Sequence, residues 1–406
     1  MCETIPLYYS KPYDTKLSAN VLALTTYTGK PAVVLDHTLF YPEGGGQPGD
    51  MGTLNQEVVI DTQKDSEGTI FHILEREPDC AVGETVQLQV DWNHRYTYMQ
   101  QHTGQHLLSG TMYQLFGIGT VSVHLGHDDL SIEIDATELP VTQLEDAVNA
   151  IVRQKVPVTA RVVTHAEGEA LNLRRTVKVA GDARIVSIGD FDTIACGGIH
   201  VADTSELQYI HYLRSERIRG HLRTYWTAGA RAIEVIRKNQ AIVDGVGTLL
   251  SSPPELIVES ISTLQQQLGE AQYLCRQHAV EVAKLLVEKE IAQSDYIDAI
   301  PLVILDASKW AEAHLKNLPE ALLEISSLAL CMVSEREDGK ISWLICLKGM
   351  AEEQAAFQAV RKKALPLIEG KGGGRPPLWQ GIGNKGSAKV QFLEQVKTIF
   401  LEYFNG

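Results

Sequence analysis

Apolar and polar positions change rhythm several times along the chain. Up to about residue 88, short apolar runs (Val21-Leu22-Ala23-Leu24, Ala32-Val33-Val34-Leu35, Val58-Val59-Ile60 and 86–90) are separated by Gly, Pro, Asp and Asn. Such runs between turn formers predict short strands, and their spacing predicts a small barrel or sandwich. Over 94–116 turn formers become few and apolar residues fall at helical spacing, which predicts a helix. Strands then alternate with helices to about residue 240, with a helix over 145–155 and strands at 185–188 and 209–213. Ser251-Ser252-Pro253-Pro254 reads as a linker whose prolines open a helix. Beyond it, Ile257, Ile261, Leu264, Leu268, Ala271, Cys275, His278, Val282 and Leu285 follow at alternating steps of four and three. A seam repeating every 3.5 residues predicts a coiled coil or the long helix of a hairpin, or else one amphipathic helix packed inside the monomer. The tail alternates strand-like runs (302–305, 341–347) with helices (352–363, 390–403), an α/β pattern. The expected fold class is α+β, in four parts: a small β-barrel over 1–90, an α+β domain over 91–245, a helical arm over 252–295 and an α/β domain over 296–406.

Composition narrows the function classes. Lys and Arg number 36 against 51 Asp and Glu in 406 residues, a net charge of −15. That balance excludes coating nucleic acid by bulk charge, because phosphate binding needs local positive charge, but it allows one basic face. Residues 207–240 hold such a stretch: Arg214, Arg217, Arg219, Arg223, Arg231, Arg237 and Lys238 against Glu216 and Glu234. Tyr212, Tyr225 and Trp226 are interleaved and could stack on unpaired bases. A smaller cluster comprises Arg174, Arg175, Lys178 and Arg184; a plain solvated face is the competing reading of both. No apolar run approaches the ~20 residues that span a bilayer. The N-terminus lacks the basic and apolar regions of a signal peptide, and six scattered cysteines are too sparse for a disulfide framework. A cytoplasmic protein without a membrane partner is expected.

The sharpest chemistry lies in His102-Thr103-Gly104-Gln105-His106, inside the predicted helix. Histidines at i and i+4 project from one helix face, so their rings can converge on one ion. Cys196-Gly197-Gly198-Ile199-His200 follows a predicted strand, and its glycines let the backbone bend between two further donors. Together they make a Cys-His₃ set suited to one tetrahedral Zn²⁺ per chain. A zinc peptidase is disfavoured, since its glutamate base would occupy the position of Thr103.

With these residues in view, the chain resembles the editing domain of alanyl-tRNA synthetase and its free-standing relatives, the AlaX family. Residues 40–50, Phe-Tyr-Pro-Glu-Gly-Gly-Gly-Gln-Pro-Gly-Asp, resemble the family's Gly-rich motif ahead of the helix. Residues 371–381, from Lys371-Gly372-Gly373-Gly374-Arg375 to Gly381, resemble the signature of the DHHA1-type domain that follows editing domains. The match is to the long AlaX form, which keeps that C-terminal domain and lacks an aminoacylation domain.

The resemblance implies a trans-editing hydrolase that deacylates tRNA(Ala) charged with serine, or with glycine, at the 3′-terminal adenosine, with no aminoacylation activity. It assigns His102, His106, Cys196 and His200 to zinc, Cys196 being the family's more variable ligand. Such an ion either lowers the pKa of a bound water or orients the terminal adenosine. Four protein donors close a structural site, whereas catalysis needs an open position. Gln47 would hold the ester carbonyl or the attacking water. Thr120 and Ser122 are candidates for bonding the serine hydroxyl, Ser122 aligning with the family's specificity threonine. Asp190 and Asp192 are read as shaping a turn. Arg214, Arg217, Arg219 and Arg223, and Lys371 with Arg375 in the C-terminal domain, would contact tRNA. The arm or the C-terminal domain would form a homodimer. Threonyl-tRNA-type editing of Ser-tRNA(Thr) and a non-catalytic zinc-containing RNA-binding module are the alternatives; a DHH-type phosphodiesterase has no Asp-His-His triplet to support it.

Overall fold

The computed structural model describes residues 4–171, 173 and 181–404, and the chain divides into two compact units, Met1–Gly245 and Val246–Gly406. Arg174, Arg175 and Lys178 lie outside the described residues.

The first unit opens with β1 (Ile5–Pro6), β2 (Lys16–Tyr27), β3 (Lys30–Leu35), β4 (His37–Thr38), β5 (Gly52–Leu54), β6 (Glu57–Lys64), β7 (Ile70–Leu74) and β8 (Thr85–Val90). Six of them close a barrel in the order β2-β3-β7-β6-β5-β8, while β1 and β4 form a short parallel pair. In β8 the two-residue period is plain: Val86, Leu88 and Val90 are buried and Thr85, Gln87 and Gln89 exposed. Val33, Leu35, Leu54 and Leu74 complete the barrel core.

A titratable group, His72, is buried on barrel strand β7. His72 is fully buried, with Nδ1 3.0 Å from the Val33 carbonyl and Nε2 2.7 Å from the Thr38 hydroxyl. A carbonyl can only accept, so Nδ1 carries the proton and Nε2 accepts from Thr38. Burial holds the His72 pKa down to about 4, against the opposing pull of the Val33 carbonyl. An unfolded histidine titrates near 6.5, so below that pH the unfolded chain takes up a proton that the barrel refuses. The stability tied to neutral His72 is therefore complete above pH 6.5 and is lost as pH falls toward 4, by about 2 kcal/mol at pH 5. Urea unfolding at pH 7 and pH 5 should record that loss in the native protein, and a smaller one in H72Q.

The barrel leads into α1 (Trp92–Phe116), capped by the Asp91 carboxylate on the His94 N–H and ended by Gly117 at φ 67°. This helix is not amphipathic: every residue over 98–112 is buried. A helix buried on all sides must satisfy its polar side chains internally. Gln101 does so by pairing with both backbone groups of Ala228, donating at 2.7 Å and accepting at 3.1 Å. There follow β9 (Thr120–Leu125), β10 (Leu130–Ile134), α2 (Val141–Arg153), β11 (Val158–Val163), α3 (His165–Ala170), β12 (Ala183–Ile188), β13 (Asp192–Ala195), β14 (Ile210–Ile218), β15 (His221–Ala228) and α4 (Ala230–Leu250). The strands form two antiparallel sheets, β14-β15-β10-β9 and β11-β12-β13, and α1 packs against strands of both.

The second unit holds α5 (Ile257–Ala292), β16 (Asp295–Ile297), β17 (Ile300–Asp306), α6 (Glu312–Leu323), β18 (Leu328–Glu335), β19 (Ile341–Lys348), α7 (Glu353–Lys363), β20 (Gly370–Arg375), β21 (Leu378–Gly383) and α8 (Lys389–Phe404). Its sheet runs β16-β17-β18-β19-β21-β20, with β17 and β18 parallel. Phe357, Trp379, Phe392 and Phe400 belong to one of its cores; Ala283, Val287, Leu318 and Leu322 belong to another. On α5 the structure corrects one expectation. The seam from Ile261 to Leu285 is exposed, and the residues that pack within the unit are Ala279, Ala283 and Val287. Small residues four apart let α5 approach α6 closely, so the apolar seam is not what holds this helix in the monomer. No helix among the described residues is long and apolar enough to cross a membrane.

Candidate metal centre

The i, i+4 geometry of α1 stacks the His102 and His106 rings with centroids 5.0 Å apart, and His200 closes on both. Cys196 completes the group: its Sγ lies 3.3 Å from His102 Nε2 and 3.4 Å from His200 Nε2. One donor atom from each of the four residues lies within 4.8 Å of the others. Bonds of about 2.0–2.3 Å to a tetrahedral Zn²⁺ imply donor separations of about 3.3–3.6 Å, which the sulfur contacts match. Independent support comes from His106, whose buried Nε2 has no hydrogen-bond partner among the described residues. A nitrogen left bare in the interior is costly unless something binds it. The donor set therefore fits zinc.

Each ring is held from behind. His102 Nδ1 lies 2.8 Å from Gln47 Oε1, which also accepts the Ile199 N–H at 3.1 Å. An amide oxygen only accepts, so the His102 proton is on Nδ1 and the Nε2 lone pair faces the site. His200 Nδ1 meets the Thr103 hydroxyl at 3.0 Å, and that oxygen accepts the Val201 N–H. Behind His106 stands Asp192, with Oδ2 3.4 Å from Nδ1 and the carboxylate buried. Here the structure corrects the sequence reading. Asp190 is exposed in the turn, but Asp192 opens β13 and backs His106. Thr103, whose identity disfavoured a peptidase, also gains a role.

Charge is arranged to favour a thiolate. Burial alone would raise the Cys196 pKa, yet the neighbouring His102 and His106 hold the thiol well below its ordinary range. For His106, burial lowers the pKa, but Cys196 and Asp192 outweigh it and raise the group to about 9. Burial and the nearby His102 depress His200 to about 3.

Gln47 arrives on a turn built for it. Gly45 and Gly46 both have left-handed φ (60° and 84°), and Gly44 and Gln47 exchange backbone hydrogen bonds across them. The turn is anchored by Arg95 of α1, fully buried, which is paired with Asp50 and also donates to the Leu39, Pro12 and Asp14 carbonyls. Asp50 in turn accepts the Tyr41 N–H. Replacing Asp50 by Ala would strand a buried guanidinium, and chemical denaturation should show a loss of about 3 kcal/mol or more.

Other candidates are placed differently. The Thr120 hydroxyl donates to Ser109 at 3.0 Å, and Gln105, next to His106, donates to the same Ser109 oxygen. Ser122 is exposed and bonds Glu133; a bulge between the two pairs sets it apart from Thr120. Trp226 is fully buried with its indole N–H on Thr224, so it cannot stack on a base. Arg223 is paired with Glu133 and Glu216 on the flanking strands, and Arg214 with Asp129 while lying 3.5 Å over the Tyr225 ring. Cross-strand acids thus reduce the local positive charge, and Arg217 and Arg219 are exposed at the end of β14. In the second unit Lys371 and Arg375 are exposed on the edge strand β20, where Lys371 helps line a cleft of about 600 Å³ with Arg361, Glu369 and Asn384.

Comparison with known proteins places this geometry among relatives. Residues 183–223 match the family model for the threonyl and alanyl tRNA synthetase second additional domain, and residues 11–94 match that for class II (A) tRNA synthetases. The alanyl-tRNA editing protein AlaX-L of Pyrococcus horikoshii is 31% identical over 92% of this chain and 93% of its own length. The alanyl-tRNA editing protein Aarsd1 of Mus musculus is 29% identical over 88% of this chain and 86% of its own. The alanine–tRNA ligase of Ignicoccus hospitalis is 27% identical over 96% of this chain but only 42% of the ligase.

Proposed function

The chain belongs to the AlaX family of alanyl-tRNA editing proteins, deacylases of mischarged tRNA(Ala), and we propose that its substrate is tRNA(Ala) carrying serine or glycine and its metal a single Zn²⁺. The observation that carries this reading is the Cys-His₃ cluster, its three histidines buried and Cys196 half-buried, with His106 Nε2 unpartnered among the described residues and Gln47 fixed against His102. Zinc bound by His102, His106, Cys196 and His200 would supply Lewis acidity at the ester or hold the terminal adenosine.

The chain's own groups do the rest. Gln47 spends its oxygen on His102 and Ile199, which leaves its Nε2 hydrogens to donate to the ester carbonyl. Asp192 and Thr103 keep the His106 and His200 rings from turning away. An alanine pocket cannot exclude side chains that differ by one small group, so editing must bond the serine hydroxyl. The linked Gln105, Ser109 and Thr120 group, beside His106, supports Thr120 over Ser122 for that bond. Arg217, Arg219, Lys371 and Arg375 supply local positive charge on a chain of net charge −15, a pattern suited to gripping tRNA briefly. The exposed seam of α5 is consistent with a coiled-coil homodimer, the C-terminal unit with a DHHA1-type domain, and the whole with a cytoplasmic enzyme.

A panel of Ser, Gly and Ala esters on tRNA(Ala), with Ser-tRNA(Thr) alongside, tests the assignment. Fast loss of serine or glycine from tRNA(Ala) is expected. Preference for Ser-tRNA(Thr) would favour threonyl-type editing, and tRNA binding without turnover would favour a non-catalytic zinc module.

A further inference from the structure

Two side chains outside the metal-ligand set grip the loop that carries two of the ligands. Arg184 Nη1 donates to the Cys196 carbonyl at 2.9 Å and to the Gly198 carbonyl at 2.7 Å. The Tyr9 hydroxyl donates to the carbonyl between them, Gly197, at 2.8 Å, and the Arg184 guanidinium lies 4.7 Å over the Tyr9 ring. No carboxylate among the described residues pairs with Arg184, so its hydrogen bonds go to backbone. Three successive carbonyls are thus held by one small clamp.

A trans peptide points its C=O and the following N–H in opposite directions. Holding the oxygens of 196, 197 and 198 on the clamp therefore turns the N–H groups of 197, 198 and 199 away from it. Two of these are engaged at the site: the Gly198 N–H meets Cys196 Sγ at 3.4 Å and the Ile199 N–H meets Gln47 Oε1 at 3.1 Å. The third, on exposed Gly197, has no acceptor among the described residues.

We propose that Tyr9 and Arg184 are positioning residues that turn the loop's amides toward the site, with the one unengaged amide, the Gly197 N–H, stabilising the oxyanion of the tetrahedral intermediate. The proposal rests on the deacylase reading above. In that reaction water adds to the ester carbonyl carbon, and the former carbonyl oxygen takes the negative charge. Collapse re-forms the C=O and breaks the bond to the ribose oxygen, which leaves as a hydroxyl with a proton from the attacking water. A backbone donor fixed in advance favours the charged intermediate over the planar ester.

The test uses Y9F, which removes one hydroxyl, and R184K, which keeps the charge but ends one bond short of the Nη1 that donates to both carbonyls. Each should lower kcat for Ser-tRNA(Ala) by about 10- to 100-fold with KM within about twofold. Zinc content per chain should stay unchanged. Two hydrolysis-resistant seryl-adenosine analogues supply a readout that does not depend on turnover, one a planar amide and the other a tetrahedral anionic phosphonate. Both variants should lose affinity for the phosphonate by roughly the fold lost in kcat and keep affinity for the amide. Equal losses on both analogues, or loss of zinc, would mean that the clamp only holds the fold together. Unchanged kcat in both variants would overturn the proposal while leaving the deacylase reading intact, and a native protein that releases no serine would overturn both.

Discussion

The H106A variant should fold, lose its zinc and release serine from Ser-tRNA(Ala) at least about 10³-fold more slowly than the native protein. His106 is buried mid-helix on α1, and alanine is the better helix former, so the backbone has no reason to move. What disappears is a donor whose Nε2 has no hydrogen-bond partner among the described residues and whose ring is backed by Asp192. Losing one of four ligands weakens the whole set, because the remaining donors were positioned for a shared tetrahedron. A metal's charge stabilisation is worth several kcal/mol, and each ~1.4 kcal/mol is a factor of ten in rate. Metal content and serine release measured on the same preparation check this; full zinc with near-native turnover would remove His106 from the site.

The G198A variant should do comparable damage by a different route. A Cβ on Gly198 would stand 2.1 Å from His102 Cε1, 2.3 Å from its Nδ1 and 2.8 Å from Gln47 Oε1. Neither side can yield cheaply, since His102 is pinned by Gln47 and the loop by Tyr9 and Arg184. A displacement of about 1 Å at a reacting centre costs on the order of 10²-fold, so activity should fall at least that far and zinc should bind more weakly. Gly197 is the internal control. Its Cβ would meet only the Tyr9 hydroxyl oxygen, at an ordinary 3.8 Å, so G197A should keep its zinc. Equal behaviour of the two variants would contradict the packing described around His102.

These contrasts mark how far the sequence could be read. The convergence of the four candidate donors was legible because helical periodicity puts His102 and His106 on one face, and a Cys-Gly-Gly-x-His loop can turn two more side chains back toward them. The barrel strands were legible from short runs between turn formers. Asp192, Tyr9 and Arg184 were not, because a bond such as Tyr9 to Gly197 spans 188 positions and no local pattern encodes it. Trp226 was misread as a stacking surface by its basic neighbours. The alternation of β15, which buries Leu222, Thr224 and Trp226, carried the right answer. Arg214 and Arg223 looked like free cations for a similar reason, since Asp129, Glu133 and the β9-β10 hairpin reach them only once the strands pair. On α5 the repeating apolar seam drew attention away from Ala279, Ala283 and Val287, the residues that pack.

The most direct test of the central claim is the rate of amino-acid release from tRNA(Ala) charged with serine and, in parallel, with alanine, using the zinc-loaded native protein. The Cys-His₃ site with Gln47 at its edge predicts rapid loss of serine and little loss of alanine. Serine release no faster than spontaneous ester hydrolysis would contradict it.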